Sequence, residues 1–382
     1  MKKWMAAAAA LAAAMSMNVV AEEAKNVLPD VMATYEANSE NSYVTSYLEQ
    51  DPYLVNIYEG FGFAKDYGSA RGHAYTLEDV NKTERPHPLA NCLTCKTADF
   101  TKLVNDLGVE AYSMEYDSVA PDMKESVGCY TCHEDQVADG TMVLTHDYTA
   151  AAIGDEMGDS IDPVVAVCGQ CHTEYYFAPD TKATVVPYTD IETMNPEAML
   201  AFYDEMDFAD WTQESTGTRM LKAQHPEMET YLGEGSVHAG MGMSCADCHM
   251  ATETNEAGDA YASHYWESPL QNEALLETCA ACHKDTDMVE KVQTLQAEIT
   301  ARETEVGEKL SGLKDALAEA NASGDYTEDE LNAIRGLHRS AQWFFDFDYV
   351  ENSEGAHNST LAKKCLDKSE ALIDEAMGLF KA

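Results

Sequence analysis

The chain has 382 residues, with 24 Lys or Arg against 68 Asp or Glu, and its formal net charge is −44. Such an acidic chain is a poor partner for nucleic acid or for an anionic membrane surface, because both would repel it. A solvating shell explains the charge, and a docking face for a basic redox partner is a second explanation.

The first residues have the features of an export signal. Lys2 and Lys3 give a basic start, an Ala-rich apolar run extends to Met17, and small residues precede Glu22. The run is too short and too weakly apolar to span a bilayer comfortably. We therefore expect a cleaved signal peptide over residues 1–21 and a periplasmic mature protein, with short outer helices over residues 26–56.

Ten of the 11 cysteines form five C-x-x-C pairs, and Cys365 is left over. The paired residues are Cys92, Cys95, Cys129, Cys132, Cys168, Cys171, Cys245, Cys248, Cys279 and Cys282. In four sites a histidine follows directly, namely His133, His172, His249 and His283. C-x-x-C-H is the attachment pattern of haem c, in which the cysteines bond the porphyrin and the histidine ligates iron. Neither zinc nor disulfides explain a histidine directly after four of the five pairs.

Lys96 takes the place of the histidine at residues 92–96, the first site in the chain. A lysine must be neutral to bind iron, and the charge of the iron favours that form. The opposite face of this haem then stays open unless another side chain covers it. One haem for chemistry and four for electron transfer is one interpretation, and an inert fifth haem is the other.

Four bis-histidine haems need four histidines beyond those in the motifs. Of the 12 histidines, eight lie outside the motifs: His73, His87, His146, His225, His238, His264, His338 and His357. Counting shows that the supply is sufficient, but it does not choose among them.

Helical periodicity begins after His283. Apolar residues at three- and four-residue steps predict a long helix over residues 292–317, and Thr327 with Glu330 predicts a capping box for a second. A third helix is expected over residues 359–380. We predict a mainly α fold, a multihaem cytochrome c with a haem-packed core and long C-terminal helices. A pentahaem catalytic region, 22–285, and a C-terminal helical region, 286–382, form one compact domain. The long helices close the fold as a bundle or form a dimer interface.

The residues also resemble a known family, the ammonia-forming cytochrome c nitrite reductases, from Pro52 to His357. The segments that carry the resemblance are the lysine site and residues 63–67, 71–73, 168–177, 221–227 and 341–343. The resemblance implies five covalently bound haems c, one Ca²⁺ and a homodimer that receives electrons from a quinol-oxidising membrane cytochrome complex or a small redox carrier.

The resemblance also implies roles for individual residues. Lys96 is the proximal ligand of the catalytic haem, and Arg85, Tyr175 and His225 line its open face. His73 pairs with His172, His264 with His133, His238 with His283, and His357 with His249. The calcium ligands are the side chains of Glu174 and Gln224 and the carbonyls of Tyr175 and Lys222, oxygen donors that suit a hard cation.

These residue types fit the six-electron reduction of nitrite to ammonium. Arg85 is a permanent cation with a donor fork for an anion, and His225 can deliver protons near neutral pH. Hydroxylamine or sulfite reduction is an alternative, as is a pentahaem electron carrier without a catalytic pocket. We expect a locally positive entrance, because distant surface charges are screened over about 8 Å at physiological salt.

Overall fold

The computed structural model describes residues 25–40, 43–133 and 140–381, so the predicted signal peptide over residues 1–21 lies outside the described residues. The described chain is mainly helical with short strands, which confirms the predicted fold class. In this part of the chain, no helix combines the length and apolar character that crossing a membrane requires.

Short helices alternate with loops up to residue 287. In chain order they are α1 (Pro29–Ala37), α2 (Tyr47–Gln50), α3 (Tyr53–Ile57), α4 (Thr76–Lys82), α5 (Ala98–Leu107), α6 (Tyr116–Val119), α7 (Cys129–His133), α8 (Asp147–Ile153), α9 (Pro163–Gly169), α10 (Pro196–Glu205), α11 (Glu227–Leu232), α12 (Val237–Gly240), α13 (Ala246–His249) and α14 (Glu273–Ala280). Single 3-10 turns lie at Gly62–Ala64, His73–Tyr75, Ala90–Leu93, Gly108–Ala111, Ala120–Asp122, Ile191–Thr193 and Pro269–Gln271.

Local capping places the haem-attachment residues at helix ends. Asp162 accepts hydrogen bonds from the Val164 and Val165 amides, with Pro163 at the first helical position of α9. This start sets the phase of a helix that ends at Gly169, immediately after Cys168. Thr97 caps α5 in the same way, directly after Lys96.

The strands form three antiparallel two-stranded hairpins. They are β1 (Tyr176–Phe177) with β2 (Thr184–Val185), β3 (Trp211–Gln213) with β4 (Thr218–Met220), and β5 (Thr252–Thr254) with β6 (Ala260–Ala262). The register pairs Tyr176 with Val185, Trp211 with Met220, and Thr252 with Ala262. The first two hairpins flank the candidate site, since β1 follows Tyr175 and β4 precedes Lys222.

Three long helices end the chain, as predicted: α15 (Met288–Ser323), α16 (Glu328–Tyr349) and α17 (Ser359–Met377). Gly324 ends α15 at φ 75°, a left-handed conformation that glycine adopts without strain. The capping box is present, with Thr327 and Glu330 bonded reciprocally at the start of α16. Sequence periodicity and cap chemistry therefore located all three helices.

The apolar seam of α15 packs within the chain. Val306, Leu310, Leu313 and Leu317 are fully buried in one cluster with residues of α3, α16 and α17. Burying each such side chain contributes roughly 1.5–3 kcal/mol. This part of the seam thus closes the fold, and a dimer would use a different surface.

The remaining core surrounds a large cavity. One apolar cluster centres on Trp343 and Tyr203, and another on Phe100 and Tyr112. This cavity has a volume of about 3380 Å³ and is lined by the cysteines of all five motif sites, by Lys96 and by the histidines of the other four sites. Ordinary side chains do not fill this volume, in agreement with the prediction that porphyrins form much of the core.

Candidate functional site

Four pairs of histidine rings face each other across the cavity. The ring centres are 6.0 Å apart for His73 and His172, and 6.2 Å apart for His133 and His264. They are 6.1 Å apart for His249 and His357, and 6.4 Å apart for His238 and His283. In each pair one ring belongs to a C-x-x-C-H site and the other comes from a distant part of the chain.

These spacings fit an iron atom between the rings. Metal–imidazole nitrogen bonds of about 2 Å on each side separate two ring centres by roughly 6 Å. All four pairs lie close to that value, so the residues present suit bis-histidine haems. The pairs that the structure brings together are the four that the resemblance implies.

Contacts between cysteines of different sites give the sites a spatial order. The sulfur of Cys95 contacts that of Cys171, and the sulfur of Cys245 contacts that of Cys168. Cys248 lies near Cys279, and Cys132 lies near Cys171. The lysine site therefore adjoins residues 168–172, which adjoin residues 245–249 and then 279–283, while residues 129–133 lie beside the second of these.

One cluster has the composition of a metal site without needing a separate ion. A sulfur of Cys95, a sulfur of Cys171 and a ring nitrogen of His146 lie within 4.8 Å of one another. Both cysteines belong to C-x-x-C pairs, where the sulfurs bond porphyrin carbons. His146 is buried, and its Nε2 lies 3.2 Å from the Thr94 carbonyl, so a protein partner already accounts for its position.

Lys96 lines the cavity at the first site. Its amide donates to the Leu93 carbonyl at 3.0 Å, and its carbonyl accepts from the Thr76 hydroxyl at 2.7 Å. These bonds hold the lysine backbone between the Ala90–Leu93 turn and the start of α4. The side chain is thereby presented at the position that histidine occupies in the other four sites.

Arg85 is held in place from two sides. The hydroxyl of Thr83 accepts from the Arg85 amide and Nε, at 3.2 Å each, and donates to Asp66 at 2.6 Å. The guanidinium carbon lies 4.5 Å from the centre of the Phe63 ring. Arg85 also lies near Tyr175 and Cys92, which brings it close to the lysine site.

A short network joins the segments that carry Tyr175 and His225. The carboxylate of Glu174 accepts a hydrogen bond from the backbone amide of Gln224 at 2.5 Å. The residues next to Tyr175 and His225 are therefore hydrogen-bonded to each other. Both Tyr175 and His225 line the cavity with Lys96 and Arg85. Burial raises the pKa of the Tyr175 hydroxyl, which therefore remains a hydrogen-bond donor over the physiological range.

Three of the four residues predicted to bind calcium, Glu174, Lys222 and Gln224, lie together beside this network. Glu174 also accepts from the Tyr203 hydroxyl at 2.9 Å, and the Gln224 side-chain nitrogen donates to the Lys222 carbonyl at 2.9 Å. Burial raises the pKa of Glu174 well above its usual range, and the neighbouring acids Glu229 and Asp210 add to the effect. Concentrated buried carboxylate with carbonyl and amide oxygens suits a divalent cation.

The three remaining histidines have structural surroundings. His87 lies 2.7 Å from the Arg85 carbonyl and packs edge-on against Tyr116, and His338 is buried with Nδ1 3.2 Å from the Thr218 hydroxyl. With His146, they are the spare histidines of the ligand count.

Sequence reasoning assigned no role to three polar residues that touch the predicted ligands. Glu227 lies beside both His172 and His225, Glu351 contacts Nδ1 of His357, and Asn352 donates to Glu227 at 2.7 Å. The available signal for Glu227 was its position two residues after His225. Nothing local distinguishes Glu351 among 68 acidic residues.

Comparison with known proteins agrees with the geometry. The model of the Cytochrome c552 family matches residues 21–381. A cytochrome c-552 of Parabacteroides distasonis is 30% identical over 380 residues, covering 91% of this chain and 73% of the relative. The cytochrome c nitrite reductase of Desulfovibrio desulfuricans, described with two calcium sites in its catalytic subunit, superposes with a TM-score of 0.82. It is 26% identical, and the match covers 94% of this chain and 85% of that one.

The family match extends over nearly the whole chain, including all five C-x-x-C sites and the long C-terminal helices. The chain therefore belongs to the cytochrome c552 family.

Proposed function

We propose that this protein is a periplasmic oxidoreductase that reduces nitrite to ammonium by six electrons, with five covalently bound haems c and one Ca²⁺. The observation that carries the proposal is one large cavity that is lined by Lys96, Arg85, Tyr175 and His225 and also by the four histidine pairs. The similarity to the nitrite reductase of D. desulfuricans supports the same chemistry.

The division of labour follows from the ligands. Four sites offer two imidazoles each and leave no position for substrate, so we assign them to electron transfer. The pairs are His73 with His172, His133 with His264, His238 with His283 and His249 with His357. At the fifth site Lys96 would hold the haem, which when bound would supply electrons to nitrite.

Arg85 binds and orients the anion in this proposal. Thr83 and Phe63 fix the side chain, so its charge is preorganised over the site rather than recruited on binding. A fixed cation offsets negative charge that develops on the departing oxygens without reorganisation at the moment of reaction.

In this proposal His225 transfers protons to the substrate and Tyr175 donates a hydrogen bond to it. The His225 ring is 41% exposed on the cavity side, which suits a group that takes protons from water and passes them to substrate. Tyr175 keeps its proton because burial raises its pKa, so it acts as a hydrogen-bond donor to substrate oxygen.

Calcium is assigned to the side chains of Glu174 and Gln224 and the carbonyls of Tyr175 and Lys222. Because Glu174 and Gln224 adjoin Tyr175 and His225, a cation there would fix both pocket segments at once. Its charge would also compensate the buried carboxylates of Glu174, Glu229 and Asp210.

Electron donor, location and assembly complete the proposal. We assign electron delivery to a quinol-oxidising membrane cytochrome complex or a small redox carrier. We assign export to a signal peptide over residues 1–21 that is cleaved. We also propose a homodimer that uses the outer face of α15, whose seam is occupied within the chain. Light scattering of the purified haem-loaded protein distinguishes a dimer from a monomer.

The deciding experiment measures nitrite loss and ammonium formation by the haem-loaded protein with a reduced viologen donor. One ammonium for each nitrite consumed supports six-electron chemistry. Absence of nitrite consumption, with all five haems present and reducible, would favour the electron-carrier alternative. Parallel assays with hydroxylamine and sulfite rank the related substrates.

A further inference from the structure

We propose that Glu227 is a positioning residue shared by two imidazoles, that of the haem ligand His172 and that of His225. One carboxylate would then link the haem next to the lysine site with the side chain that delivers protons there. The inference rests on the proposed function and adds a residue to it.

Glu227 lies between the two rings. Its Oε1 is 3.6 Å from Nδ1 of His172 and 3.5 Å from Nδ1 of His225. These are ion-pair distances, slightly longer than hydrogen bonds. Since both rings approach the carboxylate through Nδ1, each directs its Nε2 away from it.

The surroundings fix the carboxylate. Asn352 donates to the same Oε1 at 2.7 Å, and its amide nitrogen also lies 3.5 Å from Nδ1 of His225. The backbone of Asn352 has φ 65°, a left-handed conformation that residues other than glycine rarely adopt. The Met228 amide donates to the His172 carbonyl at 3.0 Å, which ties the start of α11 to the haem ligand.

The charge of Glu227 fits this role. Its side chain is only 9% exposed, so the carboxylate is buried against the two imidazoles. A carboxylate beside the outer nitrogen of an axial histidine makes that ligand more electron-donating and favours ferric iron. Glu351, beside Nδ1 of His357, offers the same arrangement at residues 245–249 without a second histidine.

Because Cys95 touches Cys171, the haem held by His172 is the one next to the lysine site. Glu227 therefore contacts both the imidazole that would hold this haem and the imidazole of His225. The carboxylate thus lies where electron and proton delivery meet.

The test uses the haem-loaded Glu227→Gln protein in a redox titration followed by optical and electron paramagnetic resonance spectra. One low-spin haem should titrate at a more positive potential, with its ferrous to ferric ratio at fixed potential raised about tenfold, equal to about 59 mV. Nitrite turnover kcat should fall about tenfold with little change in KM. Glu351→Gln is the matched control and should shift a different haem, the one held by His249 and His357.

A double variant separates positioning from general damage. If Glu227 acts through His225, adding Glu227→Gln to His225→Ala leaves kcat at the His225→Ala value while the potential shift persists. Independent, multiplying losses of kcat, or an unchanged potential, would overturn the proposal. If Glu227→Gln does not load five haems, Asn352→Ala removes the hydrogen bond to Glu227 and keeps the carboxylate. This variant should have a lower kcat than the parent protein. Adding Asn352→Ala to His225→Ala should leave kcat at the His225→Ala value.

The potential requires no nitrite, so it separates two failures. An unchanged potential overturns the role of Glu227 even if nitrite is reduced. A parent protein that consumes no nitrite overturns the proposed function, whereas a shifted potential still supports the contact with His172.

Discussion

Lys96 occupies the ligand position at which the other four sites carry histidine. Its backbone is held by Leu93 and Thr76, so a substitution changes the ligand more than its placement. The consequences of changing it should therefore appear in chemistry before they appear in folding.

For Lys96→His, we expect five attached haems and little altered overall spectra, with nitrite turnover lowered at least about tenfold. An imidazole alters electron donation at the iron that binds substrate. Turnover with a viologen donor, normalised to haem content, measures the effect. The control is Lys102→His. Lys102 lies on α5, and its ammonium packs over the ring of Tyr130. Unchanged turnover in Lys96→His would remove the lysine from the mechanism.

For Arg85→Lys, we expect kcat/KM for nitrite to fall about 100-fold. Lysine keeps the charge but loses the planar fork and its fixed bond to Thr83. Steady-state kinetics measures the loss, and Arg302→Lys on α15, paired with Glu370, is the control at a distant site. Equal kinetics for both variants would contradict an anion-binding role for Arg85.

The C-terminal helices bury an unusual group of acids. Glu303 on α15 and Asp348 on α16 are both buried, and Asp348 has a carboxylate oxygen without a hydrogen-bond partner. Burial raises the pKa of both side chains. The neighbouring acid Asp348 further raises the pKa of Glu303, and Glu351 further raises the pKa of Asp348. The packing of α15 on α16 therefore carries an electrostatic strain that depends on pH.

The sign of the dependence follows from the raised pKa values. The folded state keeps protons that the unfolded chain releases above about pH 4, so the free energy of unfolding falls as pH rises. Asp348→Asn removes this group and should raise the free energy of unfolding at pH 8 by about 1–3 kcal/mol, with less effect at pH 5. Urea unfolding at both pH values tests this, with Asp325→Asn in an exposed turn as control. If Asp348→Asn had a lower free energy of unfolding than the parent protein at pH 8, the buried Asp348 side chain would be stabilising at that pH.

At the scale of the whole molecule, the charge of −44 opposes an anionic substrate. At low salt the repulsion is long-ranged, and at physiological salt only charges near the entrance act strongly. Arg85 and any other cation along the route then dominate the last part of the approach.

We therefore expect kcat/KM for nitrite to rise about twofold to tenfold when ionic strength increases from about 0.01 M to about 0.15 M. Stopped-flow or steady-state assays across this range measure it. Hydroxylamine in its uncharged form is the matched substrate, and its kcat/KM should stay nearly constant. A decrease for nitrite would mean that steering by local cations outweighs the global charge even at low salt.

The extent of prediction from sequence differs along the chain. The repeated C-x-x-C-H pattern located the haem sites, and periodicity with the Thr327 cap located the long helices, because both signals are local. Ligand pairing is not local: His249 faces His357 across the cavity, and counting alone left eight histidines open. The resemblance supplied those pairings. Sequence reasoning assigned Asn352 no role, since its contact with Glu227 joins two segments that meet only in the fold.

The close approach of cysteines from different sites has a consequence for maturation. Cys95 touches Cys171 and Cys168 touches Cys245, so a chain that closed before receiving its porphyrins would bring free thiols together in wrong pairs. In an oxidising compartment such thiols form disulfides that block attachment. The order of events is thus built into the fold: the thiols must be kept reduced and each porphyrin joined while the chain is still open, and only then can the protein close around them.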